Sequence, residues 1–126
     1  MLANSPASPQ IPVQDIDRAV AFYRDTLGLT FLASPADGVA FFDAGGVIVQ
    51  LYQRPPSHAE HTLMAFGVED IDAIVDGLTG RGVMFEQYDF GDIKTDERGI
   101  ATLGPTQIAW FKDSEGNILA VGTSPL

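Results

Sequence analysis

The chain has 126 residues, no cysteine and a formal net charge of −10. At that length one domain is expected, able to bury about two-thirds of its unfolded surface without covalent staples. The composition excludes disulfides, thiolate metal sites and a cysteine nucleophile. The charge repels phosphate backbones and anionic membranes, so neither nucleic acid nor a membrane is an expected partner. Met1 to Pro12 lacks the charged start and apolar run of a signal peptide, and no apolar run approaches the ~20 residues of a membrane span. A cytoplasmic setting is the expectation.

In chain order, residues 1–7 read as a loose lead-in, with Ser5-Pro6 a poor start for a strand. Alternation predicts a strand over Ser8–Gln14, with Ile11 and Val13 on its apolar side. A helix follows over Ile16–Leu27, then strands Leu29–Ala33, Val39–Asp43 and Val47–Gln53, separated by turn clusters at 34–38 and 44–46. Pro55-Pro56 breaks any regular element in the linker Arg54–His61. The pattern then restarts with a strand over His61–Val68, a helix over Asp70–Gly80 and a strand over Val83–Gln87. A polar stretch, 88–99, precedes strands Gln107–Lys112 and Ile118–Thr123, which are joined by the turn Asp113–Asn117.

The restart is an internal repeat. Val13-Gln14-Asp15-Ile16-Asp17 returns as Val68-Glu69-Asp70-Ile71-Asp72, 55 residues later. Ile16, Ala19, Val20 and Tyr23 map by the same offset onto Ile71, Ile74, Val75 and Leu78, one face of an amphipathic helix in each copy. Tyr23 and Leu78 are therefore expected in equivalent buried positions. Asp15 and Asp70 stand at N-caps, and Gly28 and Gly82 where each helix should stop. Val39-Ala40-Phe41-Phe42 matches Ile108-Ala109-Trp110-Phe111, so the second copy carries about 15 extra residues before its third strand.

Two copies of strand–helix–strand–strand–strand, with Phe22-Tyr23-Arg24-Asp25-Thr26-Leu27-Gly28-Leu29 and Trp110-Phe111-Lys112-Asp113-Ser114-Glu115-Gly116-Asn117, resemble the glyoxalase/bleomycin-resistance/extradiol-dioxygenase superfamily, the vicinal oxygen chelate fold. Ser114 and Glu115 replace the Pro and Asp of that family's turn. The resemblance implies an α+β protein of two tandem βαβββ modules, about 8–53 and 61–123, in a single domain spanning 1–126. Their mixed sheets would curl into a cup with the helices outside. It is nearly silent on activity, because the scaffold hosts many chemistries.

The resemblance also implies where metal-dependent members hold their ion: Ser8, Gln50, Leu63 and Ala120 in this chain. A first-row divalent ion needs three or four oxygen or nitrogen ligands. Leu63 and Ala120 supply none, so neither a metal nor another cofactor is expected. His61 could approach the site only through a register slip, and with His58 it reads otherwise as a solvated histidine.

Strand parity turns Gln10, Ile48, Gln50, Tyr52, Leu63, Ala65, Ile118 and Ala120 toward the cup, a mostly apolar wall with a few amides and a phenol. Trp110, the only tryptophan, belongs either to that wall or to the core. Tyr88 and Lys94 lie in the 88–99 stretch, which is either a solvated loop or a lid. Gln10, Gln50, Tyr52, Tyr88, Lys94 and Trp110 are accordingly the candidate ligand contacts. The functional expectation is metal-independent binding of a small organic molecule. A superfamily enzyme of lyase or dioxygenase type with an atypical active site is the alternative. Exposed sheet edges need covering, and the resemblance implies a two-fold homodimer.

Overall fold

A computed structural model describes residues 1–123, which form two compact units: one spans Met1–Ser57 and the second begins at His58. The chain is α+β, and each unit carries a four-stranded mixed sheet.

In the first unit the elements are β1 (Gln10–Val13), α1 (Ile16–Ala21), β2 (Thr30–Ala33), β3 (Val39–Ala44) and β4 (Val47–Gln53). The sheet order is β1-β4-β3-β2, with β1 parallel to β4 and the other pairs antiparallel. One face is hydrocarbon: Ile11, Val13, Ala40, Phe42, Val49 and Leu51 are all buried. The helix lays Ala19 and Tyr23 on that face, with the Tyr23 and Phe42 ring centroids 6.0 Å apart. Burying a side chain such as Leu51 or Phe42 stabilises the unit by about 1.5–3 kcal/mol each.

The expected cap forms: Asp15 Oδ1 accepts from the Arg18 N–H at 3.1 Å. The Ile16 N–H, another orphan donor of the first turn, donates to Gln53 Oε1 at 2.9 Å and ties the helix to β4. Past Ala21 the helix continues as a wider π-helical turn over Phe22–Thr26, where the Leu27 N–H reaches back five residues to the Phe22 carbonyl at 3.0 Å. It ends at Gly28, φ 76°.

The second unit holds β5 (Thr62–Gly67), α2 (Ile71–Gly80), a hairpin of β6 (Asp89–Phe90) and β7 (Ile93–Lys94), then β8 (Ile100–Leu103), β9 (Thr106–Lys112) and β10 (Ile118–Gly122). Its sheet order, β5-β10-β9-β8, repeats that of the first unit. Asp70 Oδ1 caps α2 by accepting from the Ala73 N–H at 3.1 Å. The core face carries Ala109, Phe111, Leu119 and Val121 under Ile71 and Val75.

Three expectations are corrected. The repeat predicts four buried positions on α2, yet Ile74 is 37% exposed and Leu78 is half-buried. The buried pair Ile71 and Val75, one turn apart, carries the seam and leaves Ile74 at its margin. Tyr23, by contrast, is fully buried. The strand expected over Val83–Gln87 shrinks to a bridge between Phe85 and Phe111, with the Glu86 N–H donating to the Trp110 carbonyl at 2.8 Å. The extra residues explain this, because β8 pairs with the other half of β9. The edge that β2 fills alone in the first unit is thus shared by two segments in the second. Finally, β10 skips a residue of β5, with Ile118 opposite Thr62 but Leu119 opposite Met64, so Leu63 sits at an irregularity rather than in the ladder.

Candidate functional site in the second unit

The sheet face turned away from each unit's helix follows from the register. In the first unit Gln10 lies beside Gln50, and Pro12 beside Tyr52. Phe41 and Val39 continue the two rows on β3. Gln50 and Tyr52 are half-buried and Gln10 is exposed, and the Gln10 side-chain amide reaches the Ser8 carbonyl at 3.5 Å. This face therefore presents two amides and a phenol side by side, as the alternation predicts.

In the second unit the register resolves Trp110. It stands opposite Ala120, with Lys112 opposite Ile118 and Ile108 opposite Gly122. All six are on the face turned away from α2, because Phe111 and Leu119 fill the core side. A hollow of about 670 Å³ opens on this face, lined by Ala65, Thr106, Ile108, Trp110, Ala120 and Gly122 among others. Among the described residues no charged side chain borders it. Its chemistry is hydrocarbon, an indole face and a few threonine hydroxyls, the usual lining of a small-molecule site.

Tyr88 packs beside Trp110. Its ring meets Trp110 edge-on, with centroids 5.3 Å apart and planes at 71°, and meets Phe90 in the same way at 5.8 Å. The backbone that places it is pinned by buried Thr95. Thr95 Oγ1 accepts from the Tyr88 N–H at 2.9 Å, and the Thr95 N–H donates to the Tyr88 carbonyl at 3.0 Å. Partial burial, with the nearby charge of Glu86, pushes the Tyr88 phenol above its ordinary pKa, so it is a neutral donor at physiological pH. Beyond Tyr88 lies a second hollow of about 370 Å³, bordered by His58, Glu60, Glu86, Tyr88, Lys112 and Ile118.

The six candidate contacts thus fall into three places. Trp110 and Tyr88 come together in the second unit. Gln10, Gln50 and Tyr52 share the face of the first unit's sheet turned away from its helix. Lys94 is exposed on β7, opposite Asp89, and borders neither hollow. His61 is exposed just before β5 and borders neither. Sequence reasoning missed Glu60, Glu86 and Lys112. The signal was present: a turn closing Lys112 opposite Ile118 puts Trp110 beside Ala120 and Lys112 at the end of the same row.

At the positions that the resemblance assigns to a metal, the donor atoms are few. The Ser8 hydroxyl donates to the Ile48 carbonyl, and Leu63 and Ala120 carry no donor. Among the described residues no three His, Asp or Glu side chains gather as a metal site would require. Also among the described residues, no helix is long and apolar enough to cross a membrane.

Comparison with known proteins agrees with this architecture. The sequence matches the Glyoxalase/Bleomycin resistance protein/Dioxygenase superfamily over residues 5–121, and the chain belongs to that family. A glyoxylase-like domain-containing protein of Didymella fabae is 30% identical over 131 aligned residues, covering 92% of this chain and 91% of that one. Among solved structures, the genomically encoded fosfomycin resistance protein FosX of Listeria monocytogenes superposes with a TM-score of 0.74 at 14% identity, covering 98% of this chain and 93% of its own. Lactoylglutathione lyase of Agrobacterium tumefaciens does so with a TM-score of 0.71 at 18% identity, covering 98% and 96%. At such identities the two structures speak for the fold alone.

Proposed function

We propose that this chain is a metal-independent small-molecule binding protein of the superfamily, and that the face of its second sheet turned away from α2 is the binding surface. The observation that carries the reading is the uncharged hollow beside Trp110. Apolar surface buried there contributes about 25 cal/mol per Å². A flat ligand edge or face against the indole adds about 0.5–1.5 kcal/mol. Trp110 and Tyr88 hold the ligand body. Taken by itself, the first unit offers the amides of Gln10 and Gln50 and the phenol of Tyr52 as ligand contacts on its own sheet. Lys94 is left without a role.

The residues at the family's metal positions do not fit a divalent ion. Two of the four are hydrocarbon, and Ser8 gives its hydrogen to a carbonyl. An ion there would lose water without gaining ligands, which is costly. No step of the proposed activity passes through a metal. Calorimetric titration of chelator-treated protein with nickel, zinc, manganese and ferrous ions is expected to show no stoichiometric tight site. One such site, abolished by Gln50→Ala or His61→Ala, would overturn the reading in favour of a metalloenzyme.

The proposal extends to a cytoplasmic setting, in keeping with a chain free of cysteine, and to a homodimer. Phe31 and Leu32 on edge strand β2 are 40% and 48% exposed, and such an edge is a ready partner for another chain. Light scattering at tens of micromolar is expected to give the dimer mass. A monomer mass would remove that part of the proposal.

A further inference from the structure

Three cross-strand pairs on one face, Ile108 with Gly122, Trp110 with Ala120 and Lys112 with Ile118, run in a straight row along β9 and β10. Four residue steps along a strand span about 14 Å. The large hollow covers the first two pairs, and the small one begins at the third. Tyr88 borders the small hollow and its ring touches Trp110, which borders the large one, so the two hollows lie on either side of that aromatic contact. The row changes character along its length: hydrocarbon at Ile108, aromatic at Trp110 and Tyr88, ionic at Lys112.

The ionic end has a sign. Glu60 and Glu86 face it against a single lysine, and Lys112 already lies 3.7 Å from Glu86. Two carboxylates against one lysine leave one carboxylate in excess, and the chain's charge of −10 adds to the local field. A cation entering here meets the spare carboxylate and the Tyr88 ring, whose face favours positive charge. An anion would have only Lys112, which Glu86 already holds.

We propose that the two hollows form one elongated site for an amphipathic amine: an apolar or aromatic body against Trp110 and an ammonium group between Glu60, Glu86 and Tyr88. This rests on the reading of the Trp110 face as a binding surface and adds the ligand's charge and length.

The test compares two isosteres, phenylbutanol and phenylbutylamine, by calorimetry on the full chain at low salt. The amine is expected to bind about tenfold more tightly, the scale of one partly exposed ion pair plus a cation–π contact. Glu60→Gln with Glu86→Gln should bring the two within about twofold, and Lys112→Met should widen the gap about threefold, because it frees Glu86. Binding of the alcohol with no preference for the amine overturns this inference and leaves the binding surface standing. A preference that survives the double Gln variant and ignores Lys112→Met also overturns it. If neither compound binds, the Trp110 surface itself is refuted, and this inference with it.

Discussion

Asp113 sets the register on which the site depends, and its removal is the most informative stability test. The residue is buried in the turn between β9 and β10. Its Oδ1 accepts from the Glu115 N–H at 2.8 Å and the Asn117 N–H at 2.9 Å, and its Oδ2 accepts from Asn117 Nδ2 at 2.9 Å. The Asp113 N–H donates to the Asn117 carbonyl at 2.9 Å, closing the loop. Asn117 is itself 3% exposed, so water cannot readily replace the carboxylate for its two donors. A hydrogen bond to a charged group is worth about 1.5–3 kcal/mol, and each stranded buried donor costs about 1–3 kcal/mol. These values overlap rather than add, which puts Asp113→Ala at about 3–4 kcal/mol. Asp113→Asn keeps one acceptor oxygen and points an amide at the Asn117 amide, for a loss of about 1–3 kcal/mol. At about 3–5 °C per kcal/mol for a chain of this size, the alanine variant should melt about 9–20 °C lower. Thermal and urea unfolding monitored by circular dichroism reads both. An alanine loss below about 1 kcal/mol would refute the claim that this carboxylate holds the hairpin.

Other substitutions separate features that the sequence alone treats alike. Tyr23→Ala should cost about 3–5 kcal/mol and Leu78→Ala only about 1–2, because the second side chain is half-buried; equal losses in urea unfolding would contradict the packing described. Gly99→Ala should destabilise by about 2 kcal/mol or more. Gly99 has φ +89°, and an added Cβ would sit 2.6 Å from Phe85 Cβ, so a melting temperature like that of the parent would contradict the close approach. Arg98 pairs with Asp72 and with Asp76, the latter at 2.8 Å. Their carboxylates raise the pKa of its guanidinium. The pairs are solvent-exposed, so Arg98→Ala should lower the melting temperature only slightly, and less in high salt, measured by parallel melts. Trp110→Ala should weaken phenylbutanol binding about three- to tenfold by calorimetry.

The sequence carried the local devices well. Asp15 and Asp70 cap where the repeat puts them, because a cap is decided within three residues. The burial of Ile11, Val13, Val49 and Leu51 followed from alternation alone. What it did not disclose depends on pairing across the chain. Trp110 gained a face only through its register with Ala120, which the Asp113 turn sets. The residues 83–87 looked like a strand by composition, yet the insert supplies β8 and takes half of their edge. Lys94 read either as part of a solvated loop or as a lid cation; it is exposed on a two-residue strand and is not among the residues lining either hollow. Lys112, Glu86 and Glu60 are far apart in sequence and border one hollow only where strand, bridge and linker meet.

The central claim is that Trp110 lies at a metal-free binding surface, and the single tryptophan makes it directly measurable. Chelator-treated protein is titrated with phenylbutanol while indole emission is recorded on excitation at the red edge, where the probe does not absorb. A saturable change in emission with one-to-one stoichiometry, unaltered by added zinc or manganese, is the predicted result. No saturable change up to the probe's solubility limit, or a change seen only after a divalent ion is added, would contradict the account.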